Sequence, residues 1–220
     1  MNLRLEWAAR WLAVIAVAQL TLPWVEEARA QAGGQVGTVT AVAGEASVLR
    51  FGATSPEGLA AGATLFEGDE VRTAQGRARI RLDDGSILQL GESTSLMLTW
   101  VLHAPALETQ SVILSVPTGI IRTIVEALLP RSLFELRTST AITSVRGTDF
   151  IVEAEPDSSA VVALAGRVEV QSGSRAVAGR ITLGPGEGTD VPASAPPGAP
   201  VRWGEARRSD FIARTTVPDR

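Results

Sequence analysis

At 220 residues, with 45% hydrophobic and 20% charged side chains, the chain has material for one ordinary core, and a second full domain would be crowded. A formal charge of −4 argues against nucleic acid as a partner, because that interaction depends on clustered cations neutralising phosphates. Cysteine is absent and histidine occurs once, which excludes a lipoprotein anchor, a disulfide framework and a metal site built on those two residue types.

The first element in chain order is a targeting segment, expected as a cleavable signal peptide over residues 1–30. Arg4 and Arg10 precede an apolar run from Trp11 to Leu22, Pro23 breaks that run, and Ala28-Arg29-Ala30 offers small residues to a peptidase. The run is well short of the roughly 20 residues a spanning helix needs, so an uncleaved membrane anchor is the lesser alternative. Cleavage would remove Arg4, Arg10 and Arg29 together with Glu6, Glu26 and Glu27, leaving the charge at −4. The mature chain is expected in the periplasm or beyond it, with no stable membrane span after cleavage.

From residue 36 to residue 191 the pattern is period-two alternation broken by glycines at turn spacing, which predicts strands. Val36, Val39 and Val42 lead to Gly44, and Ala46 and Val48 continue beyond it before a polar loop at Pro56-Glu57-Gly58. Leu65-Phe66 meet the turn Glu67-Gly68-Asp69, and Val71 and Thr73 resume the strand. Ala78, Ile80 and Leu82 face one side while Arg77, Arg79 and Arg81 face the other, spaced about 6.8 Å apart. Asp84-Gly85 is the strongest short hairpin signal, with Ile87, Leu88 and Leu90 on the returning strand.

The middle is the most apolar part. Leu96, Leu98 and Trp100 alternate, a loop is expected at His103-Ala104-Pro105, and Val112 to Val116 and Gly119-Ile120-Ile121 read as core strands. Ile124 to Leu129 fits either a helical turn or an irregular apolar loop before Pro130. Phe134, Leu136 and Thr138 alternate again, Arg146-Gly147-Thr148 forms a corner between Val145 and Phe150, and Val161, Val162 and Leu164 supply a buried strand before Gly166. Gly44 to Val48 followed by Leu65 to Val71 is echoed by Gly166 to Val170 followed by Leu183 to Glu187, suggesting two related β units. Residues 192–220 begin as a Pro-rich linker; behind it Trp203, Arg207, Phe211 and Arg214 recur at helical spacing. That segment either packs back on the domain or binds a partner.

Residues 36 to 190 resemble the FecR-domain family, named for the periplasmic half of the ferric-citrate signalling regulator. The resemblance rests on Gly44 with its strand, Leu65 to Thr73 with Gly68, Asp69 and Thr73, Ile80 to Leu90 with Asp84 and Gly85, Gly119 to Arg122, the corner Gly147-Thr148 with Phe150, and Gly166 to Val170. Ser139 stands where the family commonly carries proline. The resemblance implies a free-standing periplasmic domain. Regulators proper carry a cytoplasmic segment that binds a sigma factor ahead of a transmembrane helix, and only about ten residues precede the apolar run here, so no sigma-factor contact is expected.

The expected fold is all-β, a single β-sandwich or short β-roll of about ten to twelve strands. The expected role is a non-catalytic binding module of the bacterial envelope, taking a protein partner or an anionic polysaccharide, with a sensor module of a cell-surface signalling or uptake system as the alternative. An enzyme using carboxylates alone is a third and weaker reading; neither a cofactor nor a metal is called for. Asp83-Asp84 and Asp69-Glu70 are explained by turn chemistry rather than by calcium. Arg77, Arg79 and Arg81 are candidate ligand contacts as a cationic stripe, against the plainer reading of a solvated outer face paired with nearby Asp and Glu. Arg146 is the other candidate, set against a structural role in which it clamps a buried carboxylate beside its own turn.

Overall fold

The computed structural model describes residues 34–104, 109–126 and 131–218. In chain order the strands are β1 (Gln35–Ala43), β2 (Ala46–Leu49), β3 (Glu57–Gly58), β4 (Thr64–Phe66), β5 (Glu70–Thr73), β6 (Arg77–Leu82), β7 (Ile87–Leu90), β8 (Ser95–Ala104) and β9 (Thr109–Ile124). They continue as β10 (Arg131–Arg137), β11 (Ala141–Val145), β12 (Asp149–Ala154), β13 (Ser158–Ala165), β14 (Val168–Ser172), β15 (Arg180–Leu183), β16 (Glu187–Pro192) and β17 (Val201–Arg202). One helix follows, α1 (Glu205–Thr215).

Strand pairing resolves into two ladders that share β9. One is β4-β1-β6-β7-β9-β12-β13-β16-β17. The other is β3-β2-β5-β8-β9-β10-β11-β14-β15. Up to Thr118, β9 pairs with β8 and β10; from Gly119 it pairs with β12 and then also β7. Every pair is antiparallel except β9 with β10. The first ladder is called here the helix-bearing sheet and the second the bare sheet.

The core lies between them because period-two alternation gives each sheet one apolar face. Val39, Ile80, Leu88, Ile121, Phe150 and Val161 of the helix-bearing sheet join Val71, Leu98, Leu114, Phe134, Leu136 and Val170 of the bare sheet in one buried cluster. The all-β expectation is met. Seventeen strands among the described residues exceed the expected ten to twelve. Leu65-Phe66 and Val71 to Thr73, read as one interrupted strand, are β4 and β5 in different sheets, while β3 and β17 lie in segments read as loop and linker.

Gly44 and Gly166, both with positive φ, each carry the chain from the helix-bearing sheet into the bare one. There the echo between the two halves stops. Gly68 repeats that direction, from β4 to β5, whereas Gly186 returns the chain from β15 in the bare sheet to β16 in the helix-bearing one.

Trp100 corrects one core assignment. Leu96 and Leu98 are fully buried, but Trp100 is 47% exposed. The register shifts between Leu98 and Trp100, so two positions of β8 oppose one of β9, and Val101 takes the inward place that strict alternation assigns to Trp100. Ile124 closes β9 as extended chain; residues 127–129 of the segment read as helix or loop lie outside the described residues, as do the signal-peptide segment and Pro105.

Candidate binding face

The bulge in β8 gives the outer face of the bare sheet an unusual surface. Met97, Trp100, Leu102 and Leu133 are each 40% exposed or more. Register connects them across strands: Leu102 stands opposite Ser111, and Ser111 opposite Leu133. The next row runs Trp100, Ile113, Glu135, Ser144, Glu169 and Thr182. At one edge, Glu70 of β5 sits opposite Met97, its carboxyl held below its ordinary value chiefly by hydrogen bonds from Arg72, with Ser95 adding to the effect and burial opposing it.

Beyond Leu133 the face dips into an open depression of about 840 Å³, lined among others by Leu133, Ser144, Arg146, Arg167 and Glu169. Arg146 follows Val145, the partner of both Phe134 and Val168, and as the chain leaves β11 it lines the depression with Leu133 and Arg167, the residues that precede those two partners. Both arginines are exposed, and among the described residues neither guanidinium meets a carboxylate. The reading in which Arg146 clamps a buried carboxylate is therefore corrected: the residue is exposed and, among the described residues, pairs with no carboxylate. The acidic residues of the same depression are already paired, Glu135 with Arg137 at 2.5 Å and Glu169 with Arg180 at 3.3 Å.

The corner beneath this pair is built by Gly147, Thr148 and Gly166. A Cβ on Gly166, which has φ +77°, would lie 2.7 Å from the Gly147 carbonyl oxygen, so the β11–β12 and β13–β14 corners touch through bare backbone. Thr148 is buried; its Oγ1 donates to the Arg167 carbonyl at 3.1 Å, and its backbone exchanges two hydrogen bonds with Val125. Phe150 then enters the core fully buried. Asp149 between them accepts two hydrogen bonds from Arg122, at 2.9 and 2.6 Å, which raise that guanidinium above its ordinary value.

The arginine stripe on β6 has a different fate. Arg77 donates to the carbonyls of Ala213 and Thr216 at 2.9 and 3.0 Å, and Arg79 to that of Val217 at 2.7 Å. These are the end of α1 and the residues after it, where unpaired carbonyls and the helix dipole attract cations. Arg77 also pairs with Glu92 at 3.3 Å, in keeping with the plainer reading, and Arg77 and Arg79 are half-buried, whereas Arg81 is exposed beside a small dip lined by Thr38, Thr40 and Asp83. The helix itself rests on the sheet through Trp203 and Phe211, which pack edge to face at 5.0 Å over Ile120, Ile151 and Val162. Arg214 pairs with Glu153, and Gly188 leaves room for the Trp203 ring, 2.3 Å from where a Cβ would stand. The Pro-rich stretch before it is bonded back, Gly198 donating to the Asp190 carbonyl at 3.0 Å. Arg77→Ala should speed hydrogen exchange of the α1 amides severalfold while leaving core amides unchanged, since it removes two caps of about 1 kcal/mol together at a partly exposed site. Unaltered exchange in α1 would show that the caps do not hold it.

The remaining motif residues build turns and corners. Asp84 accepts from the Ser86 amide at 2.8 Å and the Ser86 hydroxyl at 3.0 Å, and also from Gln110. Gly85, with φ +90°, completes that hairpin between β6 and β7. Thr73 donates through Oγ1 to the Gly91 carbonyl at 2.6 Å and receives the Thr94 amide at 2.9 Å. Asp69 is buried and its carboxylate receives Arg50 at 2.7 Å, a partner that sequence reading missed. Gly68, just before it, turns the chain at φ +89°. Among the described residues no group of three or more His, Cys, Asp or Glu is placed to hold a metal ion. His103 stands in β8 opposite Gln110.

Residues 69–169 match the family model described as FecR protein, a stretch running from the buried Asp69 to Glu169 in the depression. Two crystal structures of a candidate anti-sigma factor from Parabacteroides distasonis ATCC 8503, at 2.50 and 1.65 Å resolution, are similar to the chain at 21% and 23% identity, with TM-scores of 0.47 and 0.46. Each comparison covers 57% of this chain and 55% of the other, so the chain spans about half the length of those relatives. No curated protein matches it.

Proposed function

We propose that this chain, with its FecR domain over residues 69–169, is a non-catalytic protein-binding module of a signalling system in the bacterial envelope, and that it binds through the outer face of the bare sheet. The observation that carries the reading is the exposure of Trp100, Leu102 and Leu133 in two adjoining rows of that face. Large apolar side chains adjoining on one face leave surface that a partner's burial would stabilise by roughly 25 cal/mol per Å². A family associated with surface signalling supplies the setting, and the signal-peptide pattern supplies the periplasmic or secreted location. Among the described residues no helix is long and apolar enough to cross a membrane. An anionic polysaccharide is less favoured, because the stripe suited to it has lent Arg77 and Arg79 to the C-terminal helix.

The test is site-specific photo-cross-linking from position 102 in living cells, comparing the wild type with Trp100→Ser/Leu133→Ser. An envelope protein should be trapped by the wild type, and the double variant should lose at least roughly thirtyfold of the affinity for it, the usual consequence of truncating an aromatic anchor. Thermal stability should barely change, since both side chains are exposed. Equal cross-linking by the two proteins, or trapping of polysaccharide alone, would end this reading.

A further inference from the structure

We infer that the segment docking on the bare sheet is an acidic, apolar-sided stretch of polypeptide that brings a carboxylate to Arg146 and Arg167. The inference rests on reading that face as a docking surface and adds the chemistry of the occupant. It starts from register. Leu102, Ser111 and Leu133 form one cross-strand row, and Leu133 lines one depression with Arg146, the residue after β11, and Arg167, the residue before β14. Strands lie about 4.8 Å apart, so an apolar contact at Leu133 and a charge contact at Arg146 fall within one or two residues of each other along an extended ligand.

Charge decides the sign of the partner. Arg146 and Arg167 line one depression, and among the described residues no carboxylate pairs with either of them. The two carboxylates nearest by register cannot do it: Glu135 is held by Arg137, and Glu169 by Arg180 and by Gln171 at 3.1 Å. The depression thus presents two guanidiniums that meet no carboxylate among the described residues, while its own two glutamates are held by other partners. A guanidinium offers parallel donors that match a carboxylate in two-point contact, which a point charge does not.

The backbone under the pair is already fixed. Gly166 and Gly147 touch, Thr148 Oγ1 holds the Arg167 carbonyl, and Val125 brackets Thr148 from the other side. Binding therefore orders two side chains without ordering a loop, which keeps the entropic cost low. Ser144 adds a hydroxyl-bearing residue to the lining of the same depression.

The test measures binding of the full-length protein to three synthetic peptides, acetyl-GLXLXLXG-amide with X as aspartate, asparagine or lysine, using wild type, Arg146→Gln/Arg167→Gln and Arg146→Glu/Arg167→Glu. The wild type should bind the aspartate peptide about fivefold or more tightly than the asparagine one, as two exposed ion pairs permit. That preference should vanish in the Gln variant and shift to the lysine peptide in the Glu variant, and salt should weaken it. Equal binding of the aspartate and asparagine peptides by the wild type, or an aspartate preference that survives charge reversal, overturns the carboxylate assignment while leaving the apolar face standing. Failure of every peptide to bind overturns both.

Discussion

Asp69→Ala is expected to cost about 3 kcal/mol, because it breaks a buried charge pair from one side. Asp69 is 1% exposed, and its carboxylate is the meeting point of three donors: Arg50 Nη1 at 2.7 Å, the Phe66 amide at 2.9 Å and the Phe51 amide at 3.4 Å. Arg50 also donates to the Thr64 carbonyl at 2.9 Å, so one guanidinium ties β2 to β4 across the turn that Gly68 and Asp69 make. Alanine leaves the half-buried guanidinium and two amides without their acceptor, each buried donor costing about 1–3 kcal/mol when unmet. For a chain of this size the melting temperature should fall by roughly 6–12 °C. Arg50→Ala should cost less, since the carboxylate keeps its amide donors, and the double variant should cost less than the two singles summed, because the partners share one interaction. Calorimetry of the four proteins checks this. A loss below about 1 kcal/mol for Asp69→Ala would mean that water replaces the carboxylate and that the motif's aspartate is not what holds the turn.

What the sequence disclosed follows from how local each feature is. Alternation in Ala78, Ile80 and Leu82, in Phe134 and Leu136 and in Phe150 and Val152 marks inward faces, because a strand's side chains take opposite sides whatever it pairs with. The glycine corners at Gly44, Gly147 and Gly166 are legible for the same reason, since positive φ is a property of one residue. The candidate site is less so. Arg146 was singled out by its motif, yet its neighbour Arg167 comes from a corner about twenty residues on and is brought near it only by the pairing of β11 with β14. Trp100 carried the right residue type and the wrong side, because one extra residue in β8 reverses everything after it. Arg50 and Asp69 are separated by 19 positions, and Arg77 and the Ala213 carbonyl by 136. No periodicity encodes contacts at such ranges; they belong to the packing of finished sheets.

Gly119→Ala should be at least as damaging, at about 4 kcal/mol, and its cause is purely geometric. Gly119 is the residue at which β9 leaves the bare sheet and joins the helix-bearing one: Thr118 pairs with Ser95 on one side, and Gly119 with Ala154 on the other. It has φ +102°, a conformation that costs any other residue about 1–3 kcal/mol. A Cβ there would also lie 2.3 Å from Thr94 Cα and 2.4 Å from its Oγ1, so rigid backbone, not a flexible tip, must move. Thr94 cannot retreat freely. Its Oγ1 donates to the Ile120 carbonyl at 3.1 Å and accepts the Ile120 amide at 3.0 Å, while its own amide is held by Thr73. Displacing it breaks this chain of buried bonds at the strand both ladders depend on, so the whole domain should unfold at lower denaturant in one transition instead of fraying at an edge. Gly52 supplies the control: it has φ +76° with nothing within 4 Å of its would-be Cβ, so Gly52→Ala pays only the conformational strain, about 1 kcal/mol. Denaturant midpoints for the two variants separate the contributions. If the two cost the same, the close approach of Thr94 is relieved by a small shift, and the crossover of β9 is held by its hydrogen-bonded neighbours, not by the bare Cα of Gly119.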